Sequence, residues 1–352
     1  MADTIRRVVT THDKSGEATL LADDRLTLPA FPGGKAKGAV VWTTGEVPAD
    51  NFNDLLGDRR PAGMSLKGGS VLRVTEFGPG FVSPMHRTLS IDYAVVLSGE
   101  LEIILDGGET VRLRPGDAVV QRGANHAWRN PRRDCPCRIM VVMIEAHPVA
   151  VAGNRLGATP TWRMVASALA TALVGTSKMS TASPAASEIL APGSEGIRRI
   201  VTGHNSAGKA VILSKQIVDL RRTSVGLSEA ALWSTAQAPA DNGGRSGEPA
   251  SPKKGRSQSR GSTFCIVELE PGCDMPARQT FTIDYGVVLS GRVELHLDGR
   301  AAITLSDGDA LVVRGTRQAW RNPDPHTPCR IAVCTIEALP IAVVAEAAAG
   351  AE

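Results

Sequence analysis

No stretch of this sequence is apolar for long enough to cross a bilayer as a helix. The longest apolar run, Met164 to Gly175, falls short of the roughly 20 residues a span needs, and the opening MADTIRRVVTTHDKSG lacks the apolar core of a secretory leader. Cysteine is sparse. Six in 352 residues are too few for a disulfide framework, and Cys135-Pro-Cys137 is spaced too tightly for the usual zinc pattern. These absences lead us to expect buried or idle thiols, a reducing compartment and a cytoplasmic location. Charge of one sign is missing too: a net charge of +3 with 21% charged residues gives no field to recruit nucleic acid or an anionic membrane. Neither is expected as a partner. There is also no G-x-S-x-G elbow, no phosphate-binding Gly-rich loop before a helix and no H-E-x-x-H, which sets aside the hydrolase, nucleotide-binding and metalloprotease classes those motifs carry.

What the chain does have is turn-rich and apolar: 42% apolar residues, 36 Gly and 22 Pro, the profile of a soluble globular protein. Its length suggests two domains of about 150 residues. An internal repeat supports that count. IRRVVTTHDKSG at Ile5 returns as IRRIVTGHNSAG at Ile197, an offset of 192 residues. At the same offset DYAVVLSGELEIILDG from Asp92 matches DYGVVLSGRVELHLDG from Asp284, and GDAVVQRGANHAWRNP from Gly116 matches GDALVVRGTRQAWRNP from Gly308. Between the copies, Pro160 and Thr161 open a helical pattern with Trp162, Val165, Leu169 and Leu173 on one stripe, followed by Ser- and Ala-rich sequence up to Ser194. The expected division is therefore 1–150, a helical and Ser/Ala-rich linker at 151–194, and 195–352. A basic stretch from Gly243 to Ser262 in the second copy has no apolar periodicity and reads as a surface loop.

Within each copy, short β-rich runs such as AVVLSG, ELEIIL, ETVRLR, AVVQR and CRIMVVMIEA alternate with turn signals such as Asp106-Gly107-Gly108 and Pro115-Gly116-Asp117. Evenly spaced short strands without helices between them predict an all-β fold, an antiparallel sandwich or barrel of the jelly-roll kind. The matched Trp42 and Trp233, Trp128 and Trp320, and Tyr93 and Tyr285 read as core or pocket lining. His12 pairs with His204, so both read as structural, and His147 reads as surface or packing.

Residues Gly80 to Asn130 resemble the two signature motifs of the cupin family, G-x5-H-x-H-x(3,4)-E-x6-G and G-x5-P-x-G-x2-H-x3-N. Gly80 is followed by His86; Thr88 falls where the family has its second His and Asp92 where it has Glu; Gly99 then closes the motif. Gly123, His126 and Asn130 hold the second motif, with Gln121 in place of Pro. The segments HRT, DY and RG-x-x-HAWRN are similar to those of cupin proteins from fungal and bacterial small-molecule pathways. The resemblance implies tandem small β-barrels whose inward side chains hold a divalent metal. Fe(II) is favoured, with Zn, Mn or Ni as alternatives. Strand alternation agrees independently, since His126, Trp128 and Asn130 share one face and so do His86 and Thr88.

The second copy acts as an internal control. Thr88 and Asp92 persist as Thr280 and Asp284, whereas His86 and His126 become Arg278 and Gln318. Only the first barrel is expected to bind metal, through His86 and His126 unless these are simply buried, hydrogen-bonded histidines. Asp92 is either a third ligand or part of a turn or hydrogen-bond network, because Asp284 is kept without imidazole partners. Thr88, Trp128 and Gln121 are the candidate substrate contacts. In the second barrel, Arg278 is expected where the metal would otherwise sit, paired with Asp284, because a buried guanidinium needs a counter-charge.

Three functions follow from this pattern. The first is a metal-dependent oxidoreductase or oxygenase acting on a small organic molecule, in secondary metabolism. Metal-dependent isomerase, decarboxylase or cyclase chemistry is the second, and a non-catalytic small-molecule-binding barrel the third. The fold hosts all of them. A monomer and a homodimer are both compatible with two barrels in one chain.

Overall fold

The computed structural model describes residues 3–151, 153–159, 196–244, 247–249 and 261–341. The expected linker helix from Pro160 to Leu173, and most of the basic stretch between Gly243 and Ser262, lie outside the described residues. Among those described every regular element is a strand, and no helix is long and apolar enough to cross a membrane. All six cysteines are free thiols.

The strands form two barrel-like bodies, each pairing a large sheet with a small one. In the first body the small sheet is Thr110–Leu113, Leu101–Leu105 and His126–Arg129. Its large sheet is centred on Ser90–Ser98, which lies between Ala118–Arg122 and Cys137–Glu145. A central strand of this kind must be apolar on both faces. Ala94 and Val96 point into the lumen of the first barrel, where they meet Leu101, Ile103, Leu105, Trp128 and Ile139. Ile91, Tyr93 and Val95 point the other way, into a core shared with the second body that also holds Trp42, Trp233, Phe264 and Tyr285. The lumen of the second barrel is filled by Val288, Val293, Leu295, Leu311, Val313 and Ile331. Motif glycines shape the connections. Gly99 has φ 74°, and a Cβ there would come within 2.4 Å of the Pro136 carbonyl oxygen, so only glycine makes this turn without a shift.

The two copies exchange their opening strands. Thr4–His12 runs parallel to Ala310–Arg314, with Arg7 opposite Ala310, and so joins the eight-stranded sheet of the second body together with Ala18–Thr27. Gly196–His204 in turn runs parallel to Ala118–Arg122, with Arg199 opposite Ala118, and completes the seven-stranded sheet of the first. Ile200 and Ala210 thereby help fill the first lumen, and Val8 and Ala18 the second. A contiguous cut at 1–150 and 195–352 does not separate the sheets, because each barrel borrows a hairpin from the other half of the chain.

Candidate functional site

The first lumen gathers most of the residues that the motifs single out. His86 and His126 form an isolated antiparallel bridge. The His86 N–H donates to the His126 carbonyl at 2.8 Å, and the His126 N–H donates back at 2.9 Å. Directly opposed residues of an antiparallel pair project to the same side, and the two rings stand 4.3 Å apart between centroids. Each ring is also fixed at Nδ1. That of His86 donates to the Pro84 carbonyl and that of His126 to the Ala124 carbonyl, both at 2.9 Å. A carbonyl only accepts, so Nδ1 carries the proton and Nε2 keeps its lone pair. Burial lowers both pKa values, that of His126 well below the ordinary value with His86 adding to the effect. Both imidazoles are therefore neutral at pH 7. Two neutral, buried rings with Nε2 as the electron-pair donor and Nδ1 tied to backbone suit a divalent metal. Trp128 packs edge-on to His126, with centroids 5.3 Å apart.

Asp92 lies on the same interior face as Ala94 and Val96 and is 7% exposed. The Ser90 and Thr88 hydroxyls donate to its two carboxylate oxygens, and burial pushes its pKa up to about 7. Among the described residues no group of three or more His, Cys, Asp or Glu is placed to hold a metal ion, so the histidines come together without Asp92. Thr88 is likewise engaged with Asp92.

Gln121 faces Asp92 across the strand pair and is 1% exposed. Its Oε1 accepts from Thr202 on the exchanged strand, while its Nε2 is buried with no hydrogen-bond partner. One further interior residue was not singled out by motif. Arg73 shares its face of the strand Ser70–Phe77 with Phe77, part of the lumen core, and stands opposite Val141, which packs against that core. Its offset counterpart is Cys265, so the same comparison of copies that separates His86 from Arg278 would have exposed it.

In the second barrel Gln318 is buried and stands opposite Arg278 in register. The expectation of a buried Arg278 is overturned, however. Arg278 is exposed at the end of Asp274–Arg278, a strand with no buried position. A guanidinium that reaches water avoids a desolvation cost that the lumen would impose. Elsewhere His204 is buried and His147 is exposed.

A tandem all-β protein with a neutral histidine pair inside one of two barrels is the class that this fold and site define. The family model described as Cupin domain matches residues 73–143. The chain is 42% identical over 161 residues to the Phomopsin biosynthesis cluster protein C′ of Diaporthe leptostromiformis, covering 44% of this chain and 85% of that protein. It is 33% identical over 156 residues to a cupin-domain-containing oxidoreductase of Aspergillus ruber, covering 43% of this chain and 77% of that protein. Among solved structures it is similar to the putative glyoxylate induced protein from Pseudomonas aeruginosa at 14% identity, covering 91% of this chain and 87% of that one, with a TM-score of 0.45. The chain belongs to the cupin family.

Proposed function

We propose that the first barrel is the centre of a metal-dependent cupin oxidoreductase that acts on a small organic molecule in secondary metabolism, in the cytoplasm. The observation that carries this reading is the His86 and His126 pair, both buried and neutral, with both Nδ1 atoms tied to backbone carbonyls. His86 and His126 would hold a divalent ion, Fe(II) before Zn, Mn or Ni. Bound there, the ion would supply Lewis-acid or redox chemistry and leave positions for reactants. Relatives named as cupin-domain-containing oxidoreductases support the choice of reaction class. The chain's own part is to orient the rings, to exclude water through Trp128, Leu105 and Ile103, and to hold a proton on Asp92.

Asp92 also favours a second reading. A buried carboxyl with a pKa of about 7 is poised to take and return protons at neutral pH, which suits isomerase, decarboxylase or cyclase chemistry. Turnover of the substrate with and without dioxygen, on protein of known metal content, separates the two. Dependence on both dioxygen and metal is the expected result. Equal rates without dioxygen would move the assignment to the non-redox class.

A further inference from the structure

Among the described residues Arg73 has no acidic partner. Its Nη2 donates to the Gly63 carbonyl at 2.8 Å and its Nη1 lies 3.4 Å from the Met64 sulfur, both on the loop before its strand. Burial pulls its pKa below the ordinary arginine value, and no carboxylate of the described residues offsets that. Arg73 is half-buried, with its Nη2 contact at the exposed edge of the lumen, so its remaining donors are open to an anion that enters there. A second observation points the same way. Gln121 Nε2 is a buried donor with no partner on the same interior face, and such a group is costly until an acceptor reaches it.

These two side chains occupy adjacent rows of one surface. Arg73, Val141, Ala94 and Val119 form one register row across the large sheet, and Met143, Asp92 and Gln121 lie in the next. Apolar side chains separate the guanidinium from the amide. In the second barrel the same two positions carry Cys265 and Val313, so both donors occur only in the barrel that has the histidine pair. A purely architectural role would be needed in both barrels.

We propose that the first lumen takes a small molecule bearing a carboxylate, which Arg73 anchors as a paired fork while Gln121 Nε2 donates to an oxygen of the same ligand. The proposal rests on this lumen being the ligand site of the oxidoreductase reading and adds the substrate class. Arginine suits the role because its planar donors match a carboxylate two at a time.

Calorimetric titration of the full chain tests this directly, with benzoate, cinnamate and hexanoate each compared with its methyl ester. At least one acid should bind about tenfold or more tighter than its ester. Arg73→Gln should remove that preference and leave ester binding unchanged, and Arg73→Lys should restore part of it. These acids have no oxygen beyond the carboxylate that Arg73 holds, so Gln121→Leu should leave their affinity unchanged. It should weaken only an acid with a second oxygen at its far end, such as 6-hydroxyhexanoate. Equal affinity for acid and ester, no binding of any acid at millimolar concentration, or an unchanged acid preference in Arg73→Gln would each overturn the proposal. The wild-type preference and Arg73→Lys keep the test decisive should Arg73→Gln fail to fold. Repeating the titration on the His86→Ala, His126→Ala double variant separates this idea from the metal reading: acid preference retained there, with metal lost, supports the anchor, and its loss there while Arg73 is intact overturns it.

Discussion

Barrel one carries Arg73, Thr75, His86, Gln121 and His126 where barrel two carries Cys265, Val267, Arg278, Val313 and Gln318. Other motif positions do not change, and their contacts explain why. The Asn130 side-chain amide donates to the carbonyls of Phe77, Gly78 and Cys135, and that of Asn322 to the corresponding carbonyls of Leu269, Glu270 and Thr327. The Arg138 and Glu76 ion pair recurs as Arg330 and Glu268. These retained residues tie loops and strands together, whereas in the first barrel the divergent positions lie on the lumen side. A duplicated chain in this way separates what builds a cupin barrel from what the barrel does.

The largest effect should come from breaking the difference at the histidines. His86→Ala with His126→Ala should remove bound metal and lower turnover by on the order of 100-fold or more, whereas Gln318→Ala should change neither. Elemental analysis and rate measurements on the three proteins check this. Two tightly bound ions per chain, or metal content unaffected by the double substitution, would remove the assignment.

The retained asparagines should behave as equals. Asn130→Ala and Asn322→Ala each strip three carbonyls of a buried donor, so each should cost about 2–4 kcal/mol of stability in chemical denaturation. Metal bound to the first barrel should survive Asn322→Ala. A large cost in one barrel and none in the other would show that the motif asparagine is not the shared tie it is taken for here.

Much of this was legible in the sequence, and the exceptions have physical causes. The strands, their turns and the duplication could be read because alternation and glycine placement are local. The exchange of hairpins could not. IRRVVTTH and IRRIVTGH are so alike that each strand satisfies either barrel, and a repeat offset says nothing about which copy a strand pairs with. Motif spacing placed His86 and His126 in one lumen, yet it did not separate Asp92 from them, because a shared interior face does not specify a distance across a barrel. The exposure of Arg278 is not legible for a related reason. Sharing a motif position with His86 does not force burial when the strand carrying it lies at the surface. Arg73 lies outside both motifs, and only the substitution by Cys265 marks it.

Asp92 gives the comparison a pH axis. Its ordinary value is 3.8, and burial raises it to about 7 in the folded protein. Between those values the folded chain holds a proton that the unfolded chain has released, so stability falls as pH rises through that window and the loss is complete above about 7. Asp92→Asn should remove this slope, which is read from the difference between wild-type and variant denaturation midpoints from pH 4 to 8. A difference curve, wild type minus variant, that is flat or that falls toward acid pH would break the burial argument.

The smallest expected effect lies between the barrels rather than inside them. The Tyr93 hydroxyl is hydrogen-bonded to Ser262 at 2.9 Å, and Ser262 to Thr235 at 2.9 Å. On the other side the Tyr285 hydroxyl bonds Ser70 at 2.9 Å, and Ser70 bonds Thr44 at 2.8 Å. Each tyrosine therefore reaches from one half of the chain into a serine and threonine pair of the other. Removing either hydroxyl leaves the serine still bonded to its threonine, so no polar group is stranded. Tyr93→Phe and Tyr285→Phe should then cost about 0.5–1.5 kcal/mol each, equal within error by chemical denaturation, with no change in metal content. A cost several times larger for Tyr93 than for Tyr285 would show that the shared core is not symmetric and that the first barrel depends on the second for more than a borrowed hairpin.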